Sequence, residues 1–286
     1  MKISAPTTDI RDLVYDPSEL EAAQAIAVLV PGALSRISMF EAADSWRMKG
    51  YGLVHYRFPG LDGRPISPPL NIRQAAEEIV ALAARFPNKP LRLLGFSTGG
   101  AIVLTAARQL SGDLRVALLA SAVSHGGGVE TFRRGVQEMA AAAMRARTIN
   151  RRRVWPEFYR VLLFGRDVLK DAELSARAED IIKARWDKIV YPDEGRPEAH
   201  TRDLRRWKLP EDIRFAAAQA RMFWGMNDTV FSKAQQMRLA GQIGAPLTGY
   251  RGQGHLIFAS FPAVFEDILA HFEGTPAVTG AGVELL

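Results

Sequence analysis

The chain contains 286 residues, which is enough for one large domain or for a domain that carries an insertion. Hydrophobic residues make up 48% of the sequence and charged residues 24%, as expected of a globular protein with a substantial core. Cysteine is absent, which excludes disulfide frameworks, thiol nucleophiles and cysteine-ligated metal sites. The formal net charge of +6 requires that a nucleic-acid partner be considered.

The lengths of the apolar runs bear on where in the cell the protein is located. None of them approaches the roughly 18 uncharged apolar residues that a membrane-spanning helix needs. Residues 1–9 lack the apolar centre of a signal peptide. Together with the missing cysteine, these features predict a cytoplasmic protein without a membrane span.

Short apolar runs alternate with helical patterns in the first half of the chain. The predicted strands are Ala25–Val30, Gly52–Tyr56, Leu91–Gly95 and Leu114–Ala120. The predicted helices lie between them, near Met39–Lys49, from an N-cap at Asn71 to about Arg85, and at Thr98–Leu110. This alternation favours parallel strands joined by crossover helices, and therefore a three-layer α/β domain.

The pattern changes in the middle of the chain. Residues 125–214 are helical in composition, rich in arginine and without strand signals. The alternation then resumes with a strand at Ala220–Trp224, a helix near Ser232–Gly241, a strand near Leu247–Tyr250 and a helix near Pro262–Phe272. We therefore predict a core domain of residues 1–124 and 215–286 with an insertion of residues 125–214. The tail, residues 275–286, is predicted to be irregular and mobile.

A Gly-x-Ser-x-Gly motif lies where a predicted strand meets a predicted helix. Gly95-Phe96-Ser97-Thr98-Gly99 would place Ser97 on a strained turn, with small residues that let the two backbones pass closely. The free N–H groups of the following helix would face developing negative charge. The alternative interpretation is a glycine-rich turn in which Ser97 only caps the helix. The strand–helix context favours a nucleophile.

A serine nucleophile needs a base, and the chain has five histidines. We interpret His55, His200 and His271 as structural, because they lie within a predicted strand, the insertion and a predicted helix, respectively. His255 follows the last core strand in the sequence Gly252-Gln253-Gly254-His255, on a loop that can reach Ser97. We therefore favour His255 over His125, which follows the fourth strand.

A carboxylate that orients the histidine is the third requirement. Asp228 follows the strand Ala220–Trp224 in the turn Gly225-Met226-Asn227-Asp228, which would bring it to the same edge of the sheet. A simple turn aspartate is the alternative. The order Ser97, Asp228, His255 is the order expected of one class of serine hydrolase.

These features together resemble the α/β-hydrolase family, in particular its members with a helical cap. The resemblance extends from about Ala25 to Phe272 and depends on the motifs above and on Val30-Pro31-Gly32-Ala33. It implies the α/β-hydrolase fold: a mostly parallel central sheet flanked by helices, with an inserted helical cap. It also implies that Ser97 attacks a carbonyl and that neither a metal nor an organic cofactor is needed.

The resemblance also assigns the oxyanion hole and the substrate contacts. The family usually carries His-Gly after the first core strand, whereas this chain has Pro31 before Gly32. The implied oxyanion donors are the N–H groups of Ala33 and Thr98, with Leu34 as the alternative to Ala33. The expected substrate-binding residues are Leu34, Trp155, Phe158 and Tyr159. The alternative is that the aromatic residues form only the core of the cap.

The net charge is concentrated in the proposed cap. Residues 126–214 contain 20 lysines and arginines against 15 aspartates and glutamates, a surplus of five. The clustered arginines are Arg145, Arg147, Arg151, Arg152 and Arg153. A solvated helical face, the steering of an acidic or carrier-bound acyl substrate, and binding to nucleic acid or an anionic membrane remain as explanations. The aromatic interleaving of a nucleic-acid site is absent, so we predict no nucleic-acid partner.

The leading hypothesis is a carboxylesterase-like serine hydrolase that cleaves a small-molecule ester or thioester through an acyl-enzyme. The same residues would also serve acyl transfer, C–C bond or amide hydrolysis, or perhydrolysis. A ligand receptor without turnover is a further alternative, which the joint presence of Ser97, Asp228 and His255 disfavours. The sequence predicts neither the natural substrate nor the oligomeric state.

Overall fold

Buried apolar strands form the centre of the protein. The computed structural model describes residues 10–121, 127–193, 195–216, 218–276 and 282–286, with the backbone alone for residues 127–132. Within these residues eight strands form one sheet, in the spatial order 1-3-2-4-5-6-7-8. The strands are β1 (Leu13–Val14), β2 (Ala25–Val30), β3 (Tyr51–Tyr56), β4 (Leu91–Phe96), β5 (Leu114–Leu119), β6 (Ala220–Gly225), β7 (Leu247–Tyr250) and β8 (Val283–Leu285).

The six inner strands are parallel, and only the two edge strands run antiparallel to their neighbours. All six residues of β2 are buried, as expected of a strand covered on both faces by helices. The sequence predicted β2 and β7 with their observed bounds and the other inner strands to within one residue. The predicted sheet of parallel strands is therefore confirmed.

The edge strands were not predicted. Leu13 pairs with Tyr56 at one edge, and β8 pairs with β7 at the other. The prediction of an irregular tail is therefore wrong for Val283–Leu285, because this segment completes the unpaired side of β7. Strands of two and three residues are too short to show a periodic pattern of their own.

Helices cover both faces of the sheet. They are α1 (Pro17–Ala22), α2 (Ile72–Arg85), α3 (Gly99–Ala107), α4 (Gly127–Ala146), α5 (Arg151–Phe164), α6 (Ala172–Ala184), α7 (Arg196–Thr201), α8 (Lys233–Ile243), α9 (Ile257–Ser260) and α10 (Val264–Glu273), with 3₁₀ helices at Ile37–Lys49 and Gly165–Leu169. Asn71 caps α2 as predicted, since its Oδ1 accepts from the Gln74 N–H at 3.0 Å. Ser232 and Gln235 form a reciprocal capping box at α8.

The segment between β5 and β6 is helical and contains α4 to α7. Its helix α5 is buried along much of its length. The side chains of Phe158 and Leu163 belong to the same apolar cluster as Phe96 and Phe258 on one face of the sheet. The inserted helices therefore share a core with the sheet instead of forming a separate one.

Gly99 marks the closest approach between α3 and the strand β2. A Cβ atom at this position would lie 2.3 Å from the Val30 carbonyl oxygen and 2.5 Å from that of Pro31. Because both atoms belong to the backbone, the Gly99→Ala variant is expected to lose about 3 kcal/mol of unfolding free energy. Urea denaturation measures this loss.

Gly241 supplies the matched control. It lies within α8, and a Cβ added there meets no atom within 4 Å. Gly241→Ala is therefore expected to raise the unfolding free energy by up to about 1 kcal/mol. Equal urea midpoints for the two variants would contradict the close approach at Gly99.

Candidate active site

Ser97 lies at the turn between β4 and α3 with a left-handed φ of 50°, which is unusual for a residue other than glycine. Its N–H donates to the Leu119 carbonyl at 3.0 Å, and its own carbonyl accepts from the Ser121 hydroxyl at 2.7 Å. Leu119 at the end of β5 and Ser121, two residues beyond it, therefore hold the strained turn in place. The predicted strand–turn–helix context of Ser97 is thus present.

Ser97, His255 and Asp228 form a continuous chain of hydrogen bonds. The Nε2 atom of His255 lies 3.2 Å from the Ser97 hydroxyl, and its Nδ1 lies 2.9 Å from the Asp228 Oδ2. A carboxylate only accepts, so Nδ1 carries the proton and Nε2 is left to accept from the hydroxyl. His255 is 6% exposed, and the Asp228 carboxylate is fully buried. This arrangement can remove a proton from Ser97.

The carboxylate of Asp228 is held by its own turn. Its Oδ1 accepts from the N–H groups of Val230 and Phe231 at 2.7 and 3.0 Å. This leaves Oδ2 for His255. The ring of Phe231 packs against the imidazole of His255 with a centroid distance of 5.5 Å. One short turn therefore both orients and covers the imidazole.

The loop that carries His255 is attached to the C-terminal end of α5. The N–H of Gly254 donates to the Leu163 carbonyl at 2.7 Å, and that of Leu256 donates to the Leu162 carbonyl at 2.9 Å. A side chain at position 254 would lie 2.4 Å from the Leu162 carbonyl oxygen, so only glycine fits there. An inserted helix thus fixes the position of the histidine.

The backbone N–H groups of Ala33 and Thr98, beside Ser97, have no acceptor among the described residues. Both residues line the smaller of two cavities that open at Ser97. The N–H of Leu34, the other candidate donor, is taken by the Nδ1 of His200 at 3.0 Å. Sequence reasoning left Ala33 and Leu34 as alternatives, and the hydrogen bonds favour Ala33.

The larger cavity above Ser97 has a volume of about 750 Å³ and the smaller one about 260 Å³. The volume of the larger cavity falls within the usual size range of small-molecule sites. Trp155 and Phe158 line both cavities, as does Leu34. Tyr159 lines only the smaller one. The structure therefore brings all four predicted substrate-binding residues next to the serine.

The charged groups of the larger cavity are arginines. Arg151 and Arg205 belong to its lining, where apolar side chains predominate. Arg205 is paired with Glu198, with nitrogen–oxygen distances of 2.6 and 2.7 Å. Arg151 donates to the Pro192 carbonyl. The cavity thus suits an uncharged apolar group close to Ser97.

The remaining histidines differ in their surroundings. His125 lies outside the described residues. His271 is buried in α10, where its Nε2 donates to the Val116 carbonyl at 2.9 Å. His200 is fully buried, and its role in holding Leu34 was missed by sequence reasoning because its partners are distant in the chain. Burial lowers the pKa of both His200 and His271 to about 4.

These two histidines predict a pH dependence of stability. In the unfolded chain a histidine titrates near pH 6.5. Between about pH 6.5 and about pH 4 the unfolded state binds protons that the folded state does not. Stability is therefore expected to fall with decreasing pH across this window, by up to about 3 kcal/mol for each histidine. Urea denaturation at a series of pH values measures the slope.

The His271→Gln variant tests the origin of this slope. Glutamine retains a donor for the Val116 carbonyl but does not titrate. The variant is expected to have a smaller slope between about pH 6.5 and about pH 4. An unchanged slope would mean that other groups dominate the acid sensitivity.

The comparisons with known proteins concern the family and the fold. The sequence model of the alpha/beta hydrolase family matches residues 27–268. The chain therefore belongs to the alpha/beta hydrolase family, and the resemblance identified from its motifs is confirmed. No curated protein matches the sequence.

Solved structures with the same fold have low sequence identity. A candidate non-heme bromoperoxidase from Mycobacterium tuberculosis is 16% identical, with a TM-score of 0.71 over 95% of this chain and 99% of that one. The enol-lactonase from Burkholderia xenovorans is 18% identical, with a TM-score of 0.66 over 91% of this chain and 94% of that one. An esterase from Exiguobacterium antarcticum is 15% identical, with a TM-score of 0.64 over 88% and 93%. These likenesses establish the α/β-hydrolase fold.

Among the described helices, none combines the length and the hydropathy needed to cross a bilayer. Within the same residues, histidines and carboxylates do not gather in groups of three or more that could hold a metal ion.

Proposed function

We propose that this protein is a serine hydrolase that cleaves carboxylic esters or thioesters with a sizeable apolar group. The observation that carries the proposal is the chain from the Ser97 hydroxyl through His255 to Asp228 beside an apolar cavity. Residues 125–214 would act as a cap whose helices form the walls of that cavity. Leu34, Trp155, Phe158 and Tyr159 would contact the substrate.

The first half of the reaction would form an acyl-enzyme. His255 accepts the proton of Ser97 while the serine oxygen attacks the substrate carbonyl. The N–H groups of Ala33 and Thr98 stabilise the resulting oxyanion, and the N-terminal end of α3 adds its dipole. His255 then donates its proton to the leaving alcohol or thiol as the tetrahedral intermediate collapses.

The second half would release the acid. Water takes the position of the departed alcohol or thiol and transfers a proton to His255 as it attacks the acyl carbonyl. The same two N–H groups hold the second oxyanion. His255 returns the proton to Ser97, and the acid leaves. Asp228 keeps the imidazole in the required tautomer and stabilises its charged form during both halves.

A fluorophosphonate probe and a series of p-nitrophenyl esters from acetate to dodecanoate test this function. We expect the probe to label the protein at Ser97, and kcat/KM to rise with chain length until the cavity is filled. Each buried methylene is worth at most about 0.8 kcal/mol, or roughly fourfold. Absence of both labelling and turnover would refute the proposal.

The cavity itself can be tested by filling it. Ala140 lines the larger cavity, whereas its neighbour Ala141 does not. Ala140→Phe is expected to lower kcat/KM for long-chain esters while acetate hydrolysis changes little. Ala141→Phe is the matched control, which should leave the chain-length preference unchanged. An equal effect of both variants would mean that the acyl chain lies elsewhere.

A further inference from the structure

The turn between α4 and α5 projects apolar side chains into solvent. In this hairpin tip, defined as residues 144–153, Ile149 is 94% exposed and Met144 is 74% exposed. Val136, which precedes the tip on α4, is 52% exposed and lines the larger cavity. Ala143 and Ile149 line the same cavity. An apolar surface thus continues from the hairpin tip to the cavity beside the proposed nucleophile.

The same tip is strongly basic. Residues 139–156 contain five arginines and neither aspartate nor glutamate. Within the described part of the chain, Arg145 is the one of these five that approaches a carboxylate, at 3.9 Å from Glu157. Among the described residues, Arg147, Arg152 and Arg153 are exposed and form no ion pair. Their charges are therefore available to bind an external anion.

We propose that the hairpin tip docks on an anionic lipid surface and that the substrate is an amphiphilic ester drawn from that surface. Exposed apolar side chains flanked by arginines are the combination by which peripheral proteins bind anionic bilayers. Ile149 and Met144 would enter the headgroup region while the arginines contact lipid phosphates. The ester's hydrocarbon chain would then follow the apolar surface into the cavity. The substrate part of this inference rests on the proposed function, whereas the docking part does not.

The apolar side chains distinguish a lipid surface from other polyanions. A nucleic-acid backbone would pair with the arginines, but it would make no apolar contact with the exposed side chains of Ile149 and Met144. Aromatic residues for base stacking are also absent from residues 144–153. A lipid bilayer interacts with both features at once.

Vesicle flotation tests the docking. The parent protein is mixed with vesicles of phosphatidylcholine alone or of phosphatidylcholine and phosphatidylglycerol in equal amounts. We expect binding to the anionic vesicles, loss of binding at high salt, and little binding to the neutral ones. The triple variant Arg147→Gln, Arg152→Gln, Arg153→Gln is expected to bind about 100-fold more weakly, at roughly fivefold for each arginine.

The matched control removes the same charge from another surface. Arg73, Lys233 and Arg238 are exposed on α2 and α8. Their combined replacement by glutamine should leave vesicle binding within about twofold, since screening limits the field of distant charges. Hydrolysis of a soluble acetate ester should be unchanged in both triple variants. Equal loss of binding in both would show a general charge effect and overturn the proposal.

Met144→Ser distinguishes a lipid partner from a nucleic acid. We expect this variant to weaken vesicle binding, because an exposed apolar side chain contributes only where it leaves water. A protein that binds duplex DNA as tightly as vesicles, with no effect of Met144→Ser, would overturn the lipid assignment. Flotation of the Ser97→Ala variant separates the two proposals, since docking must persist in a protein that cannot turn over.

A different observation concerns His200, which links α7 to two loops of the core. Its Nε2 donates to the Pro59 carbonyl at 2.7 Å, and its Nδ1 accepts from the Leu34 N–H at 3.0 Å. The edge of its ring also packs against Phe58 with a centroid distance of 5.1 Å. Both ring nitrogens are thus occupied in the neutral tautomer.

Leu34 is the residue that needs support. It has a left-handed φ of 58°, and it directly follows Ala33. A leucine in this conformation is strained and persists only where its surroundings hold it. We infer that His200 is a positioning residue that fixes the backbone beside the Ala33 oxyanion donor. This inference also rests on the proposed function.

Two substitutions separate the two hydrogen bonds of His200. In His200→Asn the side-chain oxygen can replace Nδ1 as the acceptor for Leu34, whereas in His200→Gln the amide nitrogen can replace Nε2 as the donor to Pro59. We expect kcat of the glutamine variant to fall by about 100-fold with little change in KM, because a donor that stabilises only the transition state is displaced. The asparagine variant should retain most of kcat.

The controls exclude a purely structural role. His271→Gln removes another buried histidine, which bonds to Val116 in β5, and is expected to lower stability without lowering kcat. Equal kcat in both His200 variants, with equal loss of stability, would overturn the positioning role. Fluorophosphonate labelling of the glutamine variant reports whether Ser97 and His255 remain reactive. It therefore separates a failure of the positioning role from a failure of the proposed function.

Discussion

Ser97→Ala is expected to abolish hydrolysis of every ester that the parent protein cleaves, with kcat falling by about 10⁶-fold. The reason is that the alanine leaves no atom to form the acyl-enzyme, although the two free N–H groups and the cavity remain. Assays with p-nitrophenyl esters measure the loss of kcat. Fluorophosphonate labelling should disappear in the same variant.

Ser45→Ala is the matched control for this substitution. Ser45 is an exposed serine whose hydroxyl bonds only to the Ala42 carbonyl, so its loss should leave both turnover and labelling unchanged. If Ser97→Ala kept full activity, another residue would be the nucleophile. If both variants lost activity, the assay would be reporting on folding.

Asp228→Asn is expected to lower kcat by about 10⁴-fold without unfolding the turn. The Oδ1 position accepts from Val230 and Phe231, so the amide oxygen of asparagine is expected to remain there. The amide nitrogen then faces the Nδ1 of His255 and donates to it. His255 must carry its proton on Nε2, where it can no longer accept the proton of Ser97.

A buried aspartate outside the site is the control for Asp228→Asn. Asp267 is 4% exposed, and its Oδ2 accepts from the Tyr250 hydroxyl at 2.6 Å. Asp267→Asn is expected to change the unfolding free energy while kcat stays within about threefold, since Tyr250, whose hydroxyl it accepts from, lines neither of the two cavities. Equal losses of kcat in the two variants would contradict the orienting role of Asp228.

Helix α5 connects substrate binding with the catalytic geometry. It supplies Trp155 and Phe158 to the cavity walls, and its last carbonyls hold the loop that carries His255. A substitution that shifts this helix will therefore move both the substrate and the proposed base.

The local parts of the site were predictable from the sequence. The turn at Ser97 follows an apolar strand and precedes a helix, and small residues flank it at the required spacing. Asp228 and His255 each follow a strand of the same sheet, and parallel strands bring their carboxyl ends to one edge. A short continuous run of apolar residues is enough to predict such strands, because both faces of an inner strand must be apolar.

Contacts between distant segments were decided by the tertiary structure alone. The edge strand β8 forms because β7 has an unpaired side, and a strand of three residues is too short for a sequence pattern to predict it. His200 reads from the sequence as an ordinary buried histidine, yet folding brings it against Leu34, whose N–H it accepts. Likewise, the sequence determined that the arginines cluster near residue 150. Only the packing of α4 against α5 decided that Ile149 and Met144 remain in solvent beside them, because exposure depends on which faces the neighbouring helices cover.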